Sequence, residues 1–259
     1  MKKIIYSIFL LLLPLMVVAQ DATPSVVNSA VSKVMGDSAY ANGNYAEAIS
    51  VYETILANDG ESADIHYNLG NAYYKAGEIA KSILAYERAL LLNPGDADIA
   101  FNLELARSKT VDKVAPTYKF FLVEWIESIV NIASMQTWCV IGVIFFILLL
   151  ALALAFLFGK SVVARKVAFF SALFCLFVTL FANFAALHLY HYLTERTGAI
   201  VMQPSVTAKS TPSASGTDLF VIHEGRKVTI SDDSMQGWKE IELEDGNIGW
   251  VPAESIERI

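Results

Sequence analysis

The longest pattern in the chain is a pair of charge-free apolar runs at residues 138–158 and 167–189. Each run has about 20 residues, and a helix of that length crosses the ~30 Å hydrocarbon core of a bilayer. Residues 159–166 join the runs and are too few for anything but a tight connection. The pattern predicts a two-helix transmembrane hairpin. Two buried helices of a soluble core are the alternative, although such long charge-free runs are rarely needed in water.

The first residues have the pattern of a secretory signal peptide. Lys2 and Lys3 precede an apolar stretch, and Ala19 is a small residue at the position where a signal peptidase cuts. We predict a signal peptide at residues 1–19, with an uncleaved membrane anchor as the alternative. Both readings send the following residues across the membrane.

The charges between the apolar runs predict the orientation of the hairpin. Residues 159–166 contain Lys160, Arg165 and Lys166, and loops on the cytoplasmic side of a membrane carry an excess of basic residues. We therefore expect 159–166 to be a cytoplasmic loop. The chain is then a multi-pass protein of the bacterial inner (cytoplasmic) membrane, with its N- and C-terminal domains on the periplasmic side.

Residues 28–113 repeat with a period of 34. Gly36 and Tyr52 recur as Gly70 and Tyr86, and a period of this size is typical of helical solenoids. The spacing predicts an all-α domain with two repeats, 29–62 and 63–96, followed by a capping helix at 97–112.

The second repeat resembles a tetratricopeptide repeat at Leu69, Gly70, Tyr73, Gly77, Tyr86, Ala89 and Pro94. Modules of that family bind segments of other proteins in a groove lined by the first helix of each pair. The resemblance implies a partner-binding groove, and the alternative is that the same side chains only complete the helix surface. The implied groove residues are Lys33, Asp37, Tyr40, Tyr67, Asn71, Tyr74 and Phe101.

Residues 116–136, before the first apolar run, have an amphipathic pattern. Glu124 and Glu127 fall on one face of a helix, and Phe121 and Trp125 belong to the apolar remainder. This pattern is typical of an interfacial helix lying at the bilayer surface. A helix packed against the spans of a partner is the alternative.

Residues 197–259 read as a small all-β domain. Short alternating segments such as 219–222 and 227–230 are separated by turn residues, and five or six strands are expected after a linker at the start of 197–216. The segments ending in Gly249-Trp250-Val251-Pro252 resemble a bacterial SH3-like barrel. That resemblance implies binding of cell-wall peptides or of proteins, with Trp238 and Trp250 on the candidate surface, although Trp250 also suits a core or rim position.

Composition narrows the function. The net charge of −7 argues against nucleic acid as a partner, because no basic stripe is present to displace counterions. The sequence contains no catalytic constellation and no metal-ligand spacing, so we expect neither an enzyme nor a cofactor. His188 and His191 lie one helical turn apart, which is compatible with haem ligation but also with an aromatic belt at the membrane interface.

The order of these parts resembles the BatE-like family of the aerotolerance (Bat) operons. The resemblance implies a multidomain membrane protein that works beside membrane-anchored von Willebrand A-domain proteins and a MoxR-type ATPase in envelope stress. The leading hypothesis is a non-enzymatic scaffold that contacts protein partners and the lipid bilayer. The alternative is a sensor or anchor that binds peptidoglycan peptides through the SH3-like domain.

Overall fold

A computed structural model describes residues 32–112 and 121–259. The predicted signal peptide at 1–19 lies outside the described residues. The described part divides into two compact units. One consists of Ala133–His191, and the other combines residues 32–112 and 121–132 with Tyr192–Ile259.

The first part of the larger unit is all-α, as predicted, and its helices follow one another as two pairs and a single helix. Gly43 and Gly77 stand between the two helices of each pair with φ near +80°, a conformation that glycine adopts without steric cost. Asp96 caps the single helix, because its carboxylate accepts hydrogen bonds from the backbone N–H groups of Asp98 and Ile99. The helices are α1 (Lys33–Ala41), α2 (Tyr45–Asp59), α3 (Ala63–Ala76), α4 (Ile79–Leu92) and α5 (Ala97–Arg107).

A glycine–tyrosine contact holds each helix pair together. Tyr52 and Tyr86 are almost completely buried, and their rings lie against Gly36 and Gly70. A Cβ atom at Gly70 would lie 2.6 Å from Cδ1 of Tyr86, and one at Gly36 would lie 2.5 Å from Cε1 of Tyr52. Only glycine permits this approach, which gives a physical reason for the period of 34.

The second part of the larger unit is a seven-stranded antiparallel sheet with the order β3-β2-β6-β5-β4-β1-β7. Within the described residues β3 and β7 are edge strands that do not pair with each other, so the sheet is open along its ladder. Its core contains Val206, Ile241 and Val251. The strands are β1 (Gly198–Val201), β2 (Ser205–Lys209), β3 (Asp218–His223), β4 (Lys227–Asp232), β5 (Trp238–Glu242), β6 (Ile248–Pro252) and β7 (Ile256–Arg258).

Two features of the sheet differ from the sequence prediction. The sheet has seven strands rather than five or six, and the predicted linker at the start of 197–216 is β1. Ala199, Ile200 and Val201 are fully buried. The Ser- and Thr-rich composition of the following residues concealed this short apolar strand.

The smaller unit consists of two helices, α7 (Met135–Phe158) and α8, whose full extent is Val162–Glu195. Both are long and apolar enough to cross a membrane, with mean hydropathies of 3.2 and 2.2 in their most apolar windows. They run past the predicted limits, so the break between them is 159–161 rather than 159–166. Aromatic pairs match the two helices in antiparallel order, at Trp138–Phe181, Phe145–Phe174 and Phe156–Phe169.

A shorter helix, α6 (Phe121–Val130), occupies part of the predicted interfacial segment 116–136. Residues 116–120 lie outside the described residues. The helix ends at Val130 rather than at 136. Ser134 then caps the next helix, where its hydroxyl accepts a hydrogen bond from the N–H of Thr137. Phe121 and Trp125 are exposed, whereas Val130 is buried.

Candidate partner-binding groove

The first repeat presents a hydrogen-bonded polar cluster formed by α1, α2 and α3. Oδ1 of Asp37 accepts hydrogen bonds from the hydroxyl of Tyr52 at 2.7 Å and from Nδ2 of Asn68 at 3.2 Å. Nζ of Lys33 lies 3.9 Å from the other carboxylate oxygen of Asp37. The carboxylate of Asp37 thus links three helices, and Lys33 lies beside it at the edge of the cluster.

The same cluster recurs one repeat later, formed by α3, α4 and α5. Oδ1 of Asn71 accepts hydrogen bonds from the hydroxyl of Tyr86 at 2.7 Å and from Nδ2 of Asn102 at 3.0 Å. Asn102 also donates to the hydroxyl of Tyr67 at 3.0 Å. Each member stands 34 positions after its counterpart, so the fold converts the period of the sequence into a row of polar groups along the first helix of each pair.

An open cavity of ≈ 280 Å³ lies over this row. Four of the predicted groove residues line it, namely Lys33, Asp37, Tyr40 and Asn71. The sequence prediction missed the other members of the lining, Tyr52 and Asn68.

The remaining predicted groove residues lie in three different settings. Tyr67 joins the polar row through its hydroxyl. Tyr74 packs at the edge of the apolar cluster of the second repeat. Phe101 projects from α5 with 69 % of its surface exposed. The recurrence of Asn68 as Asn102 at the repeat period is the sequence signal that could have identified these two amides as members of the row, although it does not show what they bond to.

The groove tyrosines are protonated at neutral pH, as an unperturbed tyrosine already is, and burial extends this to more alkaline pH. It raises the pKa of Tyr52 well above the ordinary value, and the hydrogen bond to Asp37 raises it further. Burial likewise raises the pKa of Tyr86. Both hydroxyls are therefore fixed donors at neutral pH, and they hold Asp37 and Asn71 in place. Such a row of fixed amide, carboxylate and hydroxyl groups suits hydrogen bonding to a peptide, which supplies both donors and acceptors.

The sheet presents a second candidate surface. Trp250 is paired with Glu240 and Trp238 with Pro252 across β5 and β6. Because the core residues Ile241 and Val251 occupy the alternate positions, both tryptophans lie on the face opposite the core, as diagonal neighbours. Both side chains are half-buried. Trp250 is therefore not a core residue of the sheet.

The two histidines near the end of α8 contact aromatic rings. His188 stacks on Phe184 with ring centroids 6.2 Å apart, and His191 lies edge-on to Tyr190 at 6.1 Å. Over the described ranges 32–112 and 121–259, no three His, Cys, Asp or Glu side chains are grouped so that they could hold a metal ion.

Comparison with known proteins bears on the repeats. Residues 34–98 match the family model of the tetratricopeptide repeat. No curated protein matches the chain. The helical region is thus tetratricopeptide-like, and modules of this class use concave surfaces to bind proteins.

Proposed function

We propose that this chain is a non-enzymatic, membrane-anchored scaffold that binds a segment of a partner protein in its repeat groove. The observation that carries the proposal is the polar row repeated at 34 residues beneath an open cavity. Asp37 and Asn71 are each held by a buried tyrosine, so the row is rigid before a ligand arrives. Preorganisation of this kind lowers the entropic cost of binding.

The anchor in this proposal is the pair α7 and α8, which crosses the bacterial inner membrane as a hairpin. The basic residues Arg165 and Lys166 follow the break between the helices and favour a cytoplasmic position for it. The repeats and the sheet then lie in the periplasm. A reporter fused after Lys166 tests this topology, because activity of that fusion in the periplasm alone would exclude it.

The resemblance to the BatE-like family supplies the partner class. We expect membrane-anchored von Willebrand A-domain proteins of the Bat type, with a MoxR-type ATPase in the same envelope-stress system. Crosslinking of the full chain in native membranes, followed by mass spectrometry, identifies the partner. Recovery of no envelope protein would overturn the scaffold proposal.

A substitution at a predicted groove residue tests whether that partner binds at the repeats. Phe101→Ala removes an aromatic side chain that is largely exposed, so it should reduce partner recovery several-fold without changing the melting temperature. Leu219→Ala, a half-exposed apolar position in β3, is the matched control and should leave recovery unchanged. Equal recovery from both variants would mean that the partner does not use the groove at α5.

A second candidate function is supported by the paired tryptophans. Trp238 and Trp250 share the outer face of an SH3-like module, where their rings offer a flat surface to cell-wall peptides. Sedimentation of the full protein with purified peptidoglycan tests this alternative. Binding that is lost in Trp250→Ala supports it, and no sedimentation of the unaltered protein rejects it.

A further inference from the structure

Two residues of the C-terminal sheet lie inside the apolar core of the second repeat. Ile200 of β1 is fully buried and Ile259 is 6 % exposed, and both belong to one cluster with residues of α4 and α5. Ile83 of α4 has no exposed surface in this cluster. The other repeat residues of the cluster are Leu84, Tyr86, Ala89, Ile99, Leu103 and Ala106. Apolar burial of this kind is what joins successive layers in a helical solenoid.

A buried carboxylate joins the same two modules. Glu87 of α4 is 4 % exposed and accepts hydrogen bonds from Arg107 of α5 and from Lys227 of β4. Nζ of Lys227 lies 2.8 Å from Oε2 of Glu87. A buried carboxylate needs such partners, because an isolated charge is costly to remove from water. Lys227 is the partner that comes from the sheet.

Further polar contacts surround the apolar cluster and the carboxylate. Asp112 accepts hydrogen bonds from the backbone N–H and from Nδ1 of His223, each at 2.8 Å. Arg88 of α4 donates to Glu257 at 3.0 Å and to the carbonyl of Arg258 at 2.6 Å. The contact therefore has an apolar centre and a polar rim, like a stable protein interface.

We infer that the C-terminal sheet is the terminal layer of the repeat domain and occupies the side of α4 and α5 where a further repeat would stack. Two repeats and one helix form a small solenoid, and solenoids need a capping layer to protect their last apolar face. The sheet provides that layer in this chain. Both faces of this contact thus belong to the same chain. The cavity over the polar row stays available to other proteins, because the residues that line it all belong to the repeats.

Docking of the sheet also bears on the support of the groove. Tyr86 holds Asn71 by its hydroxyl, and its ring belongs to the cluster that contains Ile200 and Ile259. One helix, α4, thus both supports the groove and receives the sheet. Loosening the sheet should loosen α4, even though no residue of the sheet lines the cavity described above. This inference concerns how the groove is supported and does not depend on the proposed partner.

A disulfide tests the contact directly. A Cβ at Gly225 would lie 3.8 Å from Cβ of Thr110 and 2.9 Å from Cδ1 of Ile83, the far end of a side chain that must shift slightly. The first distance is about the mean Cβ–Cβ distance of disulfides, ~3.8 Å. The pair Thr110→Cys and Gly225→Cys is made in the full chain, with Cys139→Ala and Cys175→Ala to remove the native thiols. After mild oxidation and trypsin, peptides 110–113 and 210–226 should be joined.

Gly237→Cys in place of Gly225→Cys is the matched control. Both glycines have φ of +80°, but a Cβ at Gly237 meets nothing within 4 Å. It should therefore give no link between peptides 110–113 and 228–239. Equal crosslinking by the two pairs, or none by the first pair in a protein that keeps its melting temperature, would overturn the contact.

Hydrogen exchange in the full chain tests the capping role itself. Ile259→Ala trims a side chain inside the shared cluster, whereas Ile248→Ala trims the same residue type at a half-exposed position of β6. We expect amides of α4 to exchange about tenfold faster in Ile259→Ala and to be unchanged in Ile248→Ala. Faster exchange confined to the sheet would show that the sheet docks without capping, and would overturn the inference.

Discussion

Lys227→Met isolates the charged contact between the two modules. The substitution keeps most of the aliphatic length of the side chain and removes the ammonium group that lies 2.8 Å from Glu87. Lys239→Met is the matched control. Lys239 has a similar exposure, 24 % against 29 %, but its partner is Asp233, which is 55 % exposed rather than 4 % exposed.

The expected magnitude follows from burial and distance. Two unit charges 2.8 Å apart attract by about 6 kcal/mol at an effective dielectric constant of ~20. The desolvation of both groups and the repulsion between the ammonium and Arg107 oppose this attraction. In the variant, moreover, Arg107 remains hydrogen-bonded to Glu87. We therefore expect Lys227→Met to lower the free energy of unfolding by about 2 kcal/mol. Lys239→Met, which breaks a surface pair, should cost about 0.5 kcal/mol or less.

Thermal unfolding of the full protein in detergent, followed by tryptophan fluorescence, separates the two variants. A loss of 2 kcal/mol corresponds to a decrease in melting temperature of roughly 4–8 °C for a body of this size. The difference should persist at high salt, because a buried pair is screened less than an exposed one. Equal melting temperatures for both variants would show that Arg107 alone satisfies Glu87 and that the lysine does not stabilise the contact.

Three further predictions concern the repeats. Gly70→Ala should lower the unfolding free energy by about 1–2 kcal/mol, because overlap with Tyr86 outweighs the ~1 kcal/mol gain in helix propensity; equal or higher stability in chemical denaturation would contradict this. Ser82→Ala should cost about 1 kcal/mol in the same assay, since it removes the hydrogen bond from its hydroxyl to the Gly70 carbonyl. Burial lowers the pKa of His66 from its ordinary 6.5. Burial alone would raise the pKa of Glu61, but the hydrogen bond to His66 and the nearby arginines lower it overall. A group whose pKa is lower in the folded state contributes stability above its unfolded pKa and loses that contribution on acidification. The melting temperature should therefore decrease as the pH is lowered from 6.5, and it should decrease less in His66→Gln.

The parts of this fold that repeat in sequence are those that the sequence predicted best. Gly36 and Gly70 indicated the helix pairs because one steric requirement, close approach of a tyrosine ring, recurs at a fixed spacing. The polar row was predicted only in part. Asn71 belongs to the generic repeat pattern, whereas Asn102 hydrogen-bonds to it from a helix 31 positions later, and local periodicity does not identify such a pairing.

The contact between the modules was not predicted, and the reason is physical. The pair Asp112–His223 joins residues 111 positions apart, and the pair Glu87–Lys227 joins residues 140 positions apart. In the sequence, each partner alone looks like an ordinary surface charge. Glu87 lies in a helix where a solvated acidic residue is unremarkable, and Ile200 lies in a stretch whose composition suggested a linker. Burial of such residues arises from the meeting of two modules, so neither module contains the signal by itself.

The contact also provides an argument about the membrane that is independent of the apolar helices. Glu87 precedes α7 in the chain and Lys227 follows α8, yet they are hydrogen-bonded within one compact unit. If the intervening helices cross a bilayer, they must cross it an even number of times, because an odd number would place the two residues on opposite sides. The disulfide between positions 110 and 225 and the reporter after Lys166 therefore constrain each other. A crosslinked protein whose Lys166 fusion is active only in the periplasm would exclude a hairpin with a cytoplasmic break and periplasmic domains, and would leave either the opposite orientation or helices that do not cross.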